Sequence, residues 1–198
     1  EAAAAYDARH GTDVAARAWQ TVTRHELRAV AGARPVEGAA ATLAALRARG
    51  DGIAVWTNNA RVTAARALER SGLAPLVDRL VTRDESGRLK PDPAGFRVIR
   101  AWWEASPSRR QRWRRAVMVG DSWIDGAAAA AAGLPFIGFR LAGPVTGPPV
   151  PVWRRIGQLT ELLEVTRLSA FPAALACGGR EGVPPDRPDS TPAGAGTS

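Results

Sequence analysis

Val117-Met118-Val119-Gly120-Asp121-Ser122-Trp123-Ile124-Asp125-Gly126 is the stretch on which the fold turns. Its first three residues suit a strand buried on both faces, and Gly120 ends them. A polar Asp-Ser pair then opens an alanine-rich run, Ala127 to Ala132, closed by Gly133. A strand, a tight turn and a helix in that order are the repeating unit of a parallel α/β sheet. Asp121 and Asp125 bracket the turn, four residues apart. That spacing can aim both carboxylates into one crevice at the carboxyl end of a strand, where open α/β sheets build their sites. Oxygen ligands there suit Mg²⁺, which takes one or two carboxylates, keeps waters and meets substrate phosphate. The plainer reading is that Asp121, Ser122 or Asp125 caps the helix. Spacing alone leaves both open.

Working outward, the same punctuation recurs. Ile53-Ala54-Val55-Trp56 is an apolar run followed by Thr57-Asn58-Asn59, the only two asparagines in the chain. A hydroxyl and consecutive backbone amides at the mouth of a helix form an anion site, and the alternative is a turn capped by asparagine. Between these two stretches lies Leu89-Lys90-Pro91-Asp92-Pro93. Of 27 basic side chains, Lys90 is the single lysine. Arginine is a planar fork, whereas lysine is a compact point charge, so a lysine surviving such a bias suits a tight site needing one ammonium. An ammonium there neutralises a phosphoryl oxygen; the alternative is a solvated loop lysine.

The rest of the chain supports the alternation. Helical spacing covers 13–31, where Val14, Ala18, Val22, Leu27 and Val30 recur at roughly helical intervals, then 38–49 and 60–71. Strands are expected at 52–57, 76–82, 117–120 and 135–140. Further helices are expected from Pro93 through Trp103, over 125–132, and over 156–168, with a proline-glycine loop at 143–151. The fold class is therefore α/β: a Rossmann-like, three-layer parallel sheet. Residues 172–198 are rich in Pro, Gly, Ala, Ser and Thr and are expected to be disordered.

Bulk properties narrow the function classes. The length of 198 residues suits one domain with a small appendage, and an apolar content of 45% is enough for a core. No apolar run approaches the ~18 residues of a membrane span. No secretory signal opens the chain. The one cysteine, Cys177, excludes an internal disulfide and fits the cytoplasm. The formal charge of +8 suits an acidic partner. Trp102, Trp103 and the arginines from Arg109 to Arg115 mix cations with aromatics, as single-stranded nucleic acid binders do. A helix with tryptophans inward and arginines solvated is the preferred account, so no nucleic-acid partner is expected. His25-Glu26 has no partner at metal spacing and reads as surface.

Taken together, IAVWTNN, LKPDPAGF and VMVGDSWIDGAAAAAAG resemble the haloacid-dehalogenase-like hydrolase superfamily, in its phosphoglycolate-phosphatase-like branch. The resemblance spans roughly residues 36–140. It implies a Mg²⁺-dependent phosphomonoester hydrolase acting on a small phosphorylated metabolite through an aspartyl-phosphate. By that resemblance Thr57 and the amide of Asn58 hold the phosphoryl group, Lys90 steadies the nucleophile and the transition state, and Asp121, supported by Asp125, carries the metal. Residues 1–35 look like the remnant of a helical cap, and 36–171 like the core. A carbon–halogen hydrolase of the same superfamily needs no metal, so the two aspartates argue against it.

One departure matters. The family carries Asp-x-Asp-Gly-Thr on a central first strand, between the strands that end at Thr57 and Asp121. Asp7, in Tyr6-Asp7-Ala8-Arg9-His10-Gly11-Thr12, is a poor echo of it. The expectation is that the nucleophile lies upstream of Glu1 and that this chain is a fragment. The competing expectation is a catalytically dead phosphate-binding or scaffold protein.

Overall fold

The structure is a computed structural model that describes residues 2–107, 115–141 and 150–167. Two helices, α1 (Ala2–His10) and α2 (Val14–Gly32), precede α3 (Ala39–Ala48), β1 (Ala54–Trp56), α4 (Arg61–Arg70), β2 (Arg79–Val81) and α5 (Arg83–Ser86). Then follow α6 (Ala94–Glu104), β3 (Met118–Gly120), α7 (Trp123–Ala131), β4 (Phe136–Phe139), β5 (Arg154–Ile156) and α8 (Leu162–Val165). The order is that of an α/β fold with parallel strands.

The strands fall into two sheets. β1 pairs with β2, Val55 opposite Leu80. β3, β4 and β5 form the second sheet, with Val119 opposite Ile137 and Gly138 opposite Arg155. All these pairs are parallel. Among the described residues no strand joins β1 to β3, so each keeps one edge without a ladder partner. A buried, unpaired backbone group costs about 1–3 kcal/mol. Val119, mid-strand in β3, is 37% exposed. Water therefore reaches this strand and can hydrate what no ladder satisfies.

One apolar cluster nevertheless underlies both sheets. Val81 from β2, Phe96, Ile99 and Trp103 from α6, Met118 from β3, Ala128 and Ala129 from α7, and Phe136 from β4 are its buried members. Trp102 meets Trp103 edge to face, with centroids 5.4 Å apart. Small residues on α7 let that helix lie close to the sheet. A Cβ on Gly126 would come within 2.6 Å of Val150 and 3.0 Å of the Phe136 ring. A second cluster, Ile137, Ile156 and Leu162, seals β4 and β5 against α8.

Several elements depart from the sequence pattern. The helix expected over 156–168 is instead the end of β5, a 3-10 turn at Leu159–Glu161 and the short α8. Arg154 and Arg155 are exposed and only Ile156 is buried, so β5 carries too little apolar pattern to be recognised. The strand expected over 76–82 begins only at Arg79, after a 3-10 turn at Ala74–Leu76. α5 arises from a capping box between Thr82 and Glu85. On α2 only Val30 is buried, while Val14 and Val22 are 45% and 40% exposed. Its apolar stripe has little to cover it because α2 touches the core mainly through its C-terminal half. The loop at 143–149, the arginines 109–114, Cys177 and the tail 172–198 lie outside the described residues. No described helix is long and apolar enough to cross a membrane.

Candidate active site at the strand ends

Lys90 is the centre of the site. Its Nζ donates to the Trp56 carbonyl, the last residue of β1, at 2.9 Å, and to Asp125 Oδ1, in the first turn of α7, at 2.6 Å. The lysine and aspartate side chains are only 12% and 11% exposed. The ammonium thus bridges the carboxyl end of one sheet to the helix that follows β3. The Trp56 ring lies 5.6 Å from the same nitrogen, and its other neighbour is Gly95, where a Cβ would sit 2.1 Å from Trp56 Nε1.

Asn58 holds the lysine from behind. Its Oδ1 accepts from the Lys90 amide at 2.7 Å and its Nδ2 donates to the Lys90 carbonyl at 3.2 Å. The side chain acts as a short stretch of strand, pairing both backbone groups of the residue whose head group does the work. Thr57 is tied to β2 through its amide, which donates to the Val81 carbonyl at 3.0 Å. Its hydroxyl oxygen accepts from the Asn59 amide at 3.2 Å, which leaves the hydroxyl proton available. The Asn58 amide has no acceptor among the described residues. A hydroxyl proton and an amide are therefore free at the end of β1.

The turn after β3 resolves the ambiguity about capping. Ser122 is the cap: its Oγ accepts from the Asp125 amide at 3.3 Å and donates to Asp125 Oδ2 at 2.7 Å. Asp125 thereby shapes the turn with one oxygen and holds Lys90 with the other. Gly120 makes this possible, because a Cβ there would fall 2.4 Å from Asp125 Cβ. Asp121 is exposed and has no hydrogen bond or ion pair among the described residues.

This donor set fits Mg²⁺ modestly. Among the described residues no group of three or more His, Cys, Asp or Glu side chains could hold a metal ion. Asp121 has both oxygens open, and Asp125 Oδ1 keeps a lone pair beyond Lys90. Two carboxylates with waters and a phosphate oxygen are what Mg²⁺ ordinarily accepts.

Two residues that the sequence assigned to the surface or left aside complete the frame. Glu26 on α2 pairs with Arg83 at 2.5 Å, the side chains being 16% and 8% exposed. Arg83 also donates to the Asn58 carbonyl at 3.0 Å and to Thr23 Oγ1 at 2.8 Å, and Glu26 Oε2 accepts from the Ala60 amide at 3.1 Å. Burial pushes the Glu26 carboxyl up, but the bonds from Arg83 and the Ala60 amide outweigh it and hold it below the usual glutamate value. Glu26 and Arg83 are 57 positions apart, so no local signal announced the pair. Asp7 is not part of the site. Its carboxylate accepts from Thr12 Oγ1 and from the Val14 and Ala15 amides at 2.9 and 2.7 Å, capping α2. Those bonds, the Thr12 one foremost, lower its carboxyl below the ordinary range.

Lys90 and Asp125 meet between two parallel strand ends, with Thr57 following β1 and Asp121 following β3, and the family model described as haloacid dehalogenase-like hydrolase matches residues 2–133. The chain belongs to this family. Among curated relatives, the plasmid phosphoglycolate phosphatase of Cupriavidus necator is 34% identical over 139 residues, covering 70% of this chain and 57% of that protein. The phosphoglycolate phosphatase of Rhodospirillum rubrum is 40% identical over 108 residues, covering 54% of this chain and 42% of that one. The chain thus spans about half the length of the curated relatives it matches. The crystal structure of a predicted phosphoglycolate phosphatase from Haemophilus somnus superposes with a TM-score of 0.55 at 26% identity, over 66% of this chain and 56% of the other.

Proposed function

We propose that this chain carries the phosphoryl-binding half of a Mg²⁺-dependent phosphomonoester hydrolase acting on a small phosphorylated metabolite. The observation that carries the proposal is the Lys90 ammonium, nearly buried between the Trp56 carbonyl and Asp125. A buried charge persists where it is paired and hydrogen-bonded, and one aimed into a strand-end crevice stabilises charge on a transferring phosphoryl group. The Thr57 hydroxyl and the Asn58 amide donate to the remaining phosphoryl oxygens. Asp121, supported by Asp125, holds Mg²⁺, which supplies charge neutralisation when bound. Asn58 and Asp125 keep Lys90 in place beside the nucleophilic aspartate of this family, which takes the phosphoryl group as an aspartyl-phosphate before water releases it.

A second reading has its own observation. Among the described residues no strand lies between β1 and β3, and that is where a nucleophile would have to stand to face Lys90. This favours phosphate binding without turnover. The deciding experiment measures orthophosphate binding by calorimetry and, on the protein with its native ends, phosphate release from small phosphomonoesters, each with Mg²⁺ and with a chelator. Both readings expect orthophosphate binding that Lys90→Ala removes. Mg²⁺-dependent release supports the hydrolase; binding with no release supports the second reading. Absence of binding, or binding that Lys90→Ala leaves intact, ends both.

A further inference from the structure

We propose that a groove beside Lys90 receives a flat, unsaturated ring carried by the phosphorylated substrate, with Trp19 as its platform. The inference rests on the phosphoryl reading of the Lys90 site and adds a substrate class to it. α2 lays one helical face, including Trp19, Gln20, Arg24 and Leu27, opposite the segment from Arg83 to Leu89. Between them lies a cavity of about 660 Å³. Pockets of about 300–1,000 Å³ lined mainly by apolar groups, with a few polar ones, are what small organic ligands occupy. A two-carbon body would leave most of this volume empty.

The platform is prebuilt. Trp19 is 45% exposed although it walls the cavity, so a large aromatic surface there stays in contact with water. The Arg83 guanidinium lies 4.6 Å from the Trp19 ring centroid. It cannot swing away, because Glu26, Thr23 and the Asn58 carbonyl hold it. A rigid indole braced by a fixed cation needs little ordering before a ring stacks on it. Stacking on aromatic side chains tolerates many ring types because every such ring has a π-face. Gln20 and Arg24 line the same cavity, and their side chains make no hydrogen bond or ion pair among the described residues, which leaves them for oxygens or nitrogens on the ring.

The groove is tied to the phosphoryl site by one step along the chain and by one chain of hydrogen bonds. Leu89 lines the cavity, and Lys90 is the next residue. Arg83 holds the Asn58 carbonyl, and the Asn58 side chain holds the Lys90 backbone. On the proposed reading, an ester whose phosphoryl group sits at the ammonium extends its body toward Trp19. Phosphomonoesters of phenols, of heteroaromatic alcohols or of nucleosides have this shape.

The test is calorimetric titration of the full chain with orthophosphate, cyclohexyl phosphate and phenyl phosphate. The two esters match in size and charge and differ in flatness. Phenyl phosphate is expected to bind about tenfold tighter than cyclohexyl phosphate. Trp19→Ala should erase the difference, Trp19→Phe should keep most of it, and neither should move the orthophosphate affinity. Equal affinity of the two esters for the unmodified chain, which needs no variant, overturns the groove assignment alone, as does a preference that survives Trp19→Ala. No orthophosphate binding, or binding indifferent to Lys90→Ala, overturns the phosphoryl reading and the groove with it.

Discussion

β1 and β3 end at the same site, yet they are held there by opposite means. The β3 side is an apolar construction: Phe136 is 1% exposed, and Ile137, Ala128 and Ala129 are fully buried. Its polar content is one capping box, Ser122 with Asp125. The β1 side is a polar construction. Glu26, Arg83, Thr82, Glu85 and Asn58 fix the loops through charge-assisted bonds. Burial of apolar surface is non-directional and positions a whole helix or strand. Hydrogen bonds are directional and position a single head group. The difference teaches that the carboxylate Asp125 is placed by packing, whereas the lysine that meets it is placed by a network.

The comparison can be broken experimentally. The largest effect is expected from Phe136→Ala, which empties the apolar side and should cost about 3–5 kcal/mol, read as a shifted midpoint in chemical denaturation. Arg83→Ala should cost about 3 kcal/mol or more, because it strands Glu26 without its cation in a site 16% exposed. If Arg83→Ala costs under about 0.5 kcal/mol, the range of an ordinary surface change, the network does not hold the β1 side. Glu26 also makes the sign of a pH effect definite. Its folded value lies below the ordinary one, so its contribution is full above the unfolded value of about 4.3 and is lost as pH falls through the lower folded value. Acid unfolding followed by circular dichroism should begin at higher pH in Glu26→Gln-free protein than in Glu26→Gln once the remaining carboxylates are matched by normalising each to its own pH 7 stability.

Smaller effects sharpen the contrast. Asn58→Ala removes both bonds to the Lys90 backbone and should cost about 1–3 kcal/mol. Its distinguishing readout is orthophosphate affinity, which should fall although Lys90 itself remains. Ser122→Ala should cost about 1 kcal/mol by thermal unfolding, the usual value of an N-cap, and should loosen Asp125 without moving β3. Should Ser122→Ala weaken phosphate binding more than Asn58→Ala does, the division between packing and network would be reversed.

Most of the architecture was legible because it is written locally. The runs Ile53 to Trp56 and Val117 to Val119, with glycine or polar residues after each, marked the strands β1 and β3, although β1 is half-buried and Val119 is exposed. α7 was legible from its alanines and its closing glycine. β5 was not, since two exposed arginines hide one buried isoleucine. Within the site, Thr57, Asn58, Lys90, Asp121 and Asp125 were singled out, but their tasks were not evident. Asn58 was expected to offer its amide to the phosphoryl group, and its side chain has a task of its own in clamping Lys90. Glu26 was passed over beside a histidine read as surface, and it anchors Arg83.

The sequence by itself determined the α/β alternation, the strand ends and the unusual residues standing there, because periodicity and turn chemistry act over a few residues. Only the tertiary structure decided that Lys90 closes on Asp125, 35 positions away, and that Glu26 reaches Arg83, 57 positions away. Those contacts join segments whose approach depends on how helices and strands pack in three dimensions, and nothing local encodes it.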